Sequence, residues 1–233
     1  MSSEEQETPS TPGSPKPPST TAPSLRPSGD RVIETERYGT LTVRYVEVEQ
    51  GSDAWKDLRR KFLTASNFAA VLGLSPFAKS WDVILGMLDK APPFPKRAIR
   101  AMAWGTKHED PAAEIYADWH GVELARSGFY YCPELRIGAS LDRVVLDDDG
   151  IPVRNVEIKC PASWRIPESP PETYLLQVAM QNFLSGVSAS DLFYFTKKGI
   201  RVFAVPVLSP DEFLDEYKED IDAFMEMFDR AKD

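Results

Sequence analysis

The segment Val156-Glu157-Ile158-Lys159 alternates apolar and charged residues. On a β-strand, alternation of this kind puts Glu157 and Lys159 on one face and Val156 and Ile158 on the other, where they anchor the strand. A second carboxylate, Asp142, lies upstream in residues 137–146, which also read as a strand, and Asp148-Asp149-Gly150 between the two runs is a strong turn signal. Residues 137–146 and 151–160 are therefore expected to form an antiparallel hairpin. If its pairing is symmetric about the Asp149–Gly150 peptide, Asp142 falls opposite Glu157. Two facing carboxylates repel one another, an arrangement that makes sense when a divalent cation sits between them. Lys159 beside the pair can hold or activate a water, or stabilise charge on a phosphoryl group. This is a minimal set for metal-assisted phosphodiester hydrolysis. Mg²⁺, or Mn²⁺ in its place, is expected on Asp142, Glu157 and the backbone carbonyl of Ile158. Taken alone, Glu-x-Lys on an exposed strand is more often a surface ion-pair ladder.

The elements that must position these groups can be read along the chain. Residues 31–48 have strand character, and Gly51-Ser52-Asp53 breaks it ahead of a short helix at 55–62. Thr64 or Ser66 can cap the next helix, which Gly73 ends; another covers 80–88. Pro92, Pro93 and Pro95 mark a loop before a long helix at 96–120, ended by Gly121, with Pro111 a point at which it can divide. A helix at 171–185 follows the catalytic hairpin. Strands at 191–196 and 200–207 then turn at Lys197-Lys198-Gly199, and an acidic amphipathic helix spans 210–232.

The composition, 42% hydrophobic and 27% charged over 233 residues, fits one soluble globular domain with a tail. Residues 1–30 are rich in Pro, Ser and Thr and poor in apolar side chains, so a disordered tail is expected there and a folded domain over 31–233. No stretch approaches the roughly 20 apolar residues of a membrane span, and no secretory leader is seen. A soluble intracellular protein without membrane contact is expected, in the cytoplasm of a bacterial host or in a nucleus. Cys132 and Cys160 form neither a Cys-x-x-Cys motif nor a disulfide framework. The net charge of −9 runs against binding DNA, but it is terminal. Residues 206–233 carry ten acids and three bases, whereas residues 31–205 carry 22 of each. Arg59-Arg60-Lys61, Lys96-Arg97 with Arg100, and Lys197-Lys198 with Arg201 could line a basic groove, although each alone reads as solvated surface.

An ordered set of motifs resembles the lambda-exonuclease/YqaJ-type viral recombinase family, a branch of the PD-(D/E)xK nuclease superfamily. Over residues 54–185 it comprises Trp55, Arg59 and Leu63-Thr64-Ala65-Ser66-Asn67; Val71 to Pro76; Gly105 to Ala112 with Tyr116; Ser140-Leu141-Asp142; Val156 to Pro161; and Tyr174-Leu175-Leu176-Gln177 with Gln181. The resemblance implies an α/β restriction-endonuclease-like core, a central mixed β-sheet flanked by helices, and 5′-to-3′ exonuclease action on double-stranded DNA ends in recombination or repair. It places Glu109 as a third acid near the metals and Gln177 as a polar group in the same pocket, with Tyr174 a helical turn away. Arg59 and Ser66 match positions that hold a DNA 5′ phosphate. Physics allows this independently, because a helix beginning near Thr64–Ser66 offers free N–H groups to an anion. A homotrimer threading DNA and a single-strand-annealing partner are further implications. One departure is Ser140-Leu141-Asp142-Arg143 where the family often has Ser-Pro-Asp-Gly. The new Arg143 could touch DNA, or pair with Asp147 or Asp148.

Competing motifs fail. His108-Glu109 lacks the second histidine of a zinc protease, since position 112 is alanine, and no Gly-Lys-Ser phosphate loop is present. Two alternatives keep the same core: a structure-specific endonuclease, and a non-catalytic DNA-end-binding scaffold.

Overall fold

The computed structural model describes residues 30–163 and 165–232. The expected tail over 1–30 lies outside the described residues apart from Asp30. In chain order come strands β1 (Arg31–Thr35) and β2 (Gly39–Val46), helix α1 (Asp53–Arg60), β3 (Leu63–Thr64), α2 (Ala65–Val71), α3 (Ser80–Met87) and α4 (Lys96–His120). Strands β4 (Leu124–Ala125), β5 (Phe129–Cys132), β6 (Ile137–Ala139), β7 (Arg143–Leu146) and β8 (Pro152–Lys159) follow, then α5 (Glu172–Ser185), β9 (Ala189–Thr196), β10 (Gly199–Val205) and α6 (Pro210–Lys232). The fold class is α/β as expected, but the mixed sheet is two sheets of five strands, ordered β1-β2-β5-β6-β3 and β10-β9-β8-β7-β4. Each is mixed through a single parallel pair, β3 with β6 and β8 with β9.

The long helix is continuous through Pro111, contrary to the expected division. Pro111 is exposed, so the carbonyl that loses its partner can turn to water, while Ala112, Ala113 and Tyr116 bury on the sheet and hold the helix on line. Gly121 ends it in the left-handed conformation at φ 63°. Residues 31–48 form a hairpin instead of one strand. Thr35 Oγ1 accepts from the Tyr38 amide at 2.9 Å and donates to the Gly39 carbonyl at 2.8 Å, closing the turn, and Gly39 takes φ 73°.

Residues 137–146 are likewise two strands, not one. The chain leaves the first sheet after Ala139 and joins the second at Arg143, so Ser140-Leu141-Asp142 is the crossing between sheets. The hairpin register nonetheless has the expected symmetry: Arg143 pairs with Val156, Val144 with Asn155 and Val145 with Arg154, before a bulge at Leu146. Asp142 sits one step beyond the last pair, level with Glu157.

Two apolar layers clasp the second sheet. Val156, Ile158 and Phe193 pack on Ala112, Ala113 and Tyr116 of α4. On the opposite face Leu192, Tyr194 and Val205 pack with Val178 of α5. The first sheet shares a larger core with α2, α5 and α6, in which Phe68, Phe183 and Phe213 meet. Among the described residues no helix is long and apolar enough to cross a membrane.

Candidate active site

Alternation along β8 puts Asn155, Glu157 and Lys159 on the face toward α5. On that helix Gln177 and Gln181 are one turn apart. Two strand residues advance about 6.6 Å and four helix residues about 6 Å, so the two polar rows stay in step. The contacts follow: Asn155 Nδ2 donates to Gln181 Oε1 at 3.0 Å, Gln181 Nε2 to Glu157 Oε2 at 2.7 Å, and Gln177 Nε2 to Glu157 Oε1 at 2.6 Å. Lys159 Nζ donates to Glu157 Oε1 at 2.5 Å and to Gln177 Oε1 at 3.2 Å, and lies 4.5 Å from the centre of the Tyr174 ring. Glu157 is 1% exposed and the Lys159 side chain 19%, so the pair is no surface ladder.

Asp142 completes the group from the crossing between sheets. Its Oδ2 accepts from the Ile158 amide at 2.9 Å, taking a donor left over where the β7 ladder ends. In a strand the N–H and C=O of one residue face the same edge, so the Ile158 carbonyl looks toward Asp142 as well. Burial pushes the Asp142 carboxyl well above the usual range, and the Glu157 charge, with a smaller push from Glu109, raises it further. Burial alone would lower the Lys159 ammonium, but Glu157 and Asp142 outweigh it and push it up to about 12. In the metal-free chain Lys159 is therefore held as a cation, suited to holding a water or a phosphoryl oxygen. Burial, together with Glu109 and Asp142, pushes the neighbouring Cys160 thiol up to about 12, so it stays a thiol.

Among the described residues no three Asp, Glu, His or Cys side chains form a closed metal cage. The donors that converge here are two carboxylates and a strand carbonyl. Mg²⁺ fits such a set, because it keeps several waters and takes one or two carboxylates plus substrate phosphate. Glu109 is near, but Arg143 holds it: Nη1 donates to Glu109 Oε1 at 2.8 Å and Nη2 to Asp110. Arg143 is buried and faces α4, so it pairs with neither Asp147 nor Asp148. The turn pair that the sequence allowed does not form, because the side chain runs to the helix and not along the hairpin.

The remaining expected site residues, Arg59 and Ser66, also meet. Arg59 Nη2 donates to Ser66 Oγ at 2.9 Å and to Thr64 Oγ1 at 3.4 Å, with its guanidinium carbon 4.4 Å from the centre of the Trp55 ring. Thr64 takes the N-cap position of α2, but neither side chain caps it. Burial lowers the Arg59 guanidinium to about 10, still charged at neutral pH, and among the described residues it has no carboxylate partner. A half-buried cation beside two hydroxyls has the chemistry to hold an anion. Trp55 Nε1 donates to Ser140 Oγ at 2.9 Å, linking this pocket to the crossing that carries Asp142. Sequence reasoning counted Gln181 among the motif residues without giving it a role, and passed over Asn155. The signal was available, since each lies on the same face as a predicted site residue, two along the strand and four along the helix.

Solved structures share this architecture. An alkaline exonuclease from Laribacter hongkongensis superposes with a TM-score of 0.62 at 22% identity, over 77% of this chain and 94% of that one. The same exonuclease in complex with dAMP gives 0.60 at 20% identity. A phage-related exonuclease from Haemophilus somnus 129PT gives 0.54 at 13% identity, over 76% of this chain and 97% of its own. The fold is thus the restriction-endonuclease-like fold of these exonucleases. Residues 54–188 match the YqaJ-like viral recombinase domain, and the chain belongs to that family. It is also 41% identical over 68 residues to Protein D345L of African swine fever virus, a match spanning 29% of this chain and only 19% of the viral protein.

Proposed function

We propose that this chain is a Mg²⁺-dependent deoxyribonuclease that degrades double-stranded DNA from its ends in the 5′-to-3′ direction. The observation that carries the reading is the buried meeting of Asp142, Glu157 and Lys159, with the Ile158 carbonyl on the same edge, in a chain of the YqaJ-like family. Asp142, Glu157 and the Ile158 carbonyl would hold Mg²⁺, or Mn²⁺ in its place. The bound ion supplies charge neutralisation and a water of lowered pKa. Lys159 would orient a water or the scissile phosphate, and Gln177, bonded to both Lys159 and Glu157, would keep the two aligned. Glu109 supports the group from α4 as a further acid, tethered by Arg143. Arg59 and Ser66 would seat a terminal 5′ phosphate, which gives the direction of travel. A role in recombination or repair, a ring of three copies and a single-strand-annealing partner accompany this reading through the family, as does an intracellular setting.

Closed circular and linear duplex, each incubated with Mg²⁺ or with EDTA, test the proposal. Loss of linear DNA alone, and only with metal, is expected. Cleavage of closed circles would replace it with an endonuclease, and binding of ends without any product would replace it with a scaffold.

A further inference from the structure

Behind Glu157 runs a buried polar line that the hydrolytic reading leaves without a task. Gln181 is fully buried, and its Nε2 donates both to Glu157 Oε2 at 2.7 Å and to the Ser140 carbonyl at 3.0 Å. Its Oε1 accepts from Asn155 Nδ2 at 3.0 Å. An amide can face either way, and the partners decide between the two. A carboxylate and a carbonyl only accept, so the nitrogen must face them, and Asn155 must offer its own nitrogen to the other end. Asn155, also fully buried, is oriented in turn by Asn182 Oδ1 at 3.4 Å, which accepts from Ser190 Oγ at 2.5 Å. An apolar side chain of similar volume would fill this space between β8 and α5 without any desolvation cost.

We infer that Gln181 is a positioning residue of the nuclease site: it fixes the direction of the Glu157 carboxylate and ties it to the backbone at Ser140, two residues ahead of Asp142. One side chain thereby sets the spacing of the two carboxylates, and Asn155 holds its other end. The inference rests on the hydrolytic reading, but it concerns the geometry of the cation site and can be read without turnover.

The test uses the full chain and three variants. Gln181→Met keeps the shape and removes the donor. Asn155→Asp turns a donor into an acceptor, so that the Gln181 amide can no longer satisfy Glu157 and residue 155 together. Gln181→Asn keeps the amide but draws it back by one methylene, and it decides the matter where the others do not fold. Mn²⁺ binding without DNA is followed by the electron paramagnetic resonance signal of the free ion, and kcat and KM are measured on linear duplex with Mg²⁺. Weakening of Mn²⁺ affinity by about 10–100-fold is expected, the usual effect of losing a partner of a metal ligand. The kcat should fall while KM for duplex stays within about twofold, because the end-binding pocket is untouched. A folded variant whose Mn²⁺ affinity and kcat both match those of the intact chain overturns the inference. If the intact chain binds Mn²⁺ yet cuts nothing, the hydrolytic reading fails and the Mn²⁺ comparison alone decides the role of Gln181. If it binds no Mn²⁺, both fall.

Discussion

Lys159 is surrounded by the groups that decide its charge: Glu157 and Gln177 as hydrogen-bond acceptors and the face of Tyr174. A cation so held acts through its charge and its donors, so Lys159→Ala is expected to lower hydrolysis by at least about 10²-fold, the scale of losing a preorganised charge-stabilising donor, while duplex binding survives. Steady-state rates and a gel-shift assay check the two halves separately. Asp142 carries the opposite burden in the metal-free chain. Burial and the Glu157 charge raise its pKa, so between its ordinary value and the raised one the folded chain holds a proton that the unfolded chain has released. Stability then falls as pH rises through that window. Asp142→Asn removes the penalty. Without metal the variant should melt higher than the intact protein on the alkaline side of that window. The two should converge below about pH 4, where the aspartate is protonated in both states. Added Mg²⁺ should raise the melting temperature of the intact protein and not of the variant. At the second pocket, Arg59→Ala removes a charge-assisted contact worth about 1.5–3 kcal/mol. The preference for 5′-phosphorylated over 5′-hydroxyl ends should fall by about 10–100-fold in competition digests.

Between elements, the site depends on two rows of residues that match in pitch and on one arginine. Arg143 opens β7 and reaches Glu109 and Asp110 on α4, with its side chain only 5% exposed. Arg143→Met should destabilise the fold by roughly 2 kcal/mol, less than for a fully buried pair because Asp110 is well exposed. Urea unfolding measures it. Both rows could be read from the sequence: strand alternation gave Glu157 with Lys159, and helical spacing connects Gln177 with Gln181. The register was legible too, because Asp148-Asp149-Gly150 fixes the turn and Val156 and Ile158 fix the face. The break at Ser140–Asp142 was not. Residues Ile137, Ala139, Leu141 and Val144 are all buried, and apolar residues continue across the crossing with nothing in their order to mark a change of sheet. The partners of Arg143 were hidden for a related reason, since they come from a helix more than 30 residues earlier. Strands β4 and β5 are two and four residues long, too short for alternation to register.

As a whole the chain is acidic, yet the site lies in the part where charges balance, and the excess acid is on α6 and the N-terminal 30 residues. On the proposed reading, binding to DNA must therefore come from local basic clusters and not from net charge. If about four phosphates are neutralised, log affinity for a duplex end, measured with Ca²⁺ replacing Mg²⁺, should fall with log salt at a slope of roughly −3.5. At the crossing between the two sheets, Ser140 joins Trp55, on which Arg59 stacks, to Gln181, which holds Glu157, through the Trp55–Ser140, Gln181–Ser140 and Gln181–Glu157 bonds. The Arg59 pocket and the carboxylate site thus share one residue, Ser140. The most direct test is digestion of linear duplex bearing 5′-phosphate or 5′-hydroxyl ends, in Mg²⁺ or EDTA, by the intact chain and by Lys159→Ala. Mononucleotides are expected only with metal, faster from phosphorylated ends and lost on substitution. No release by the intact chain in Mg²⁺ or Mn²⁺, or release that Lys159→Ala leaves unchanged, would contradict the nuclease assignment.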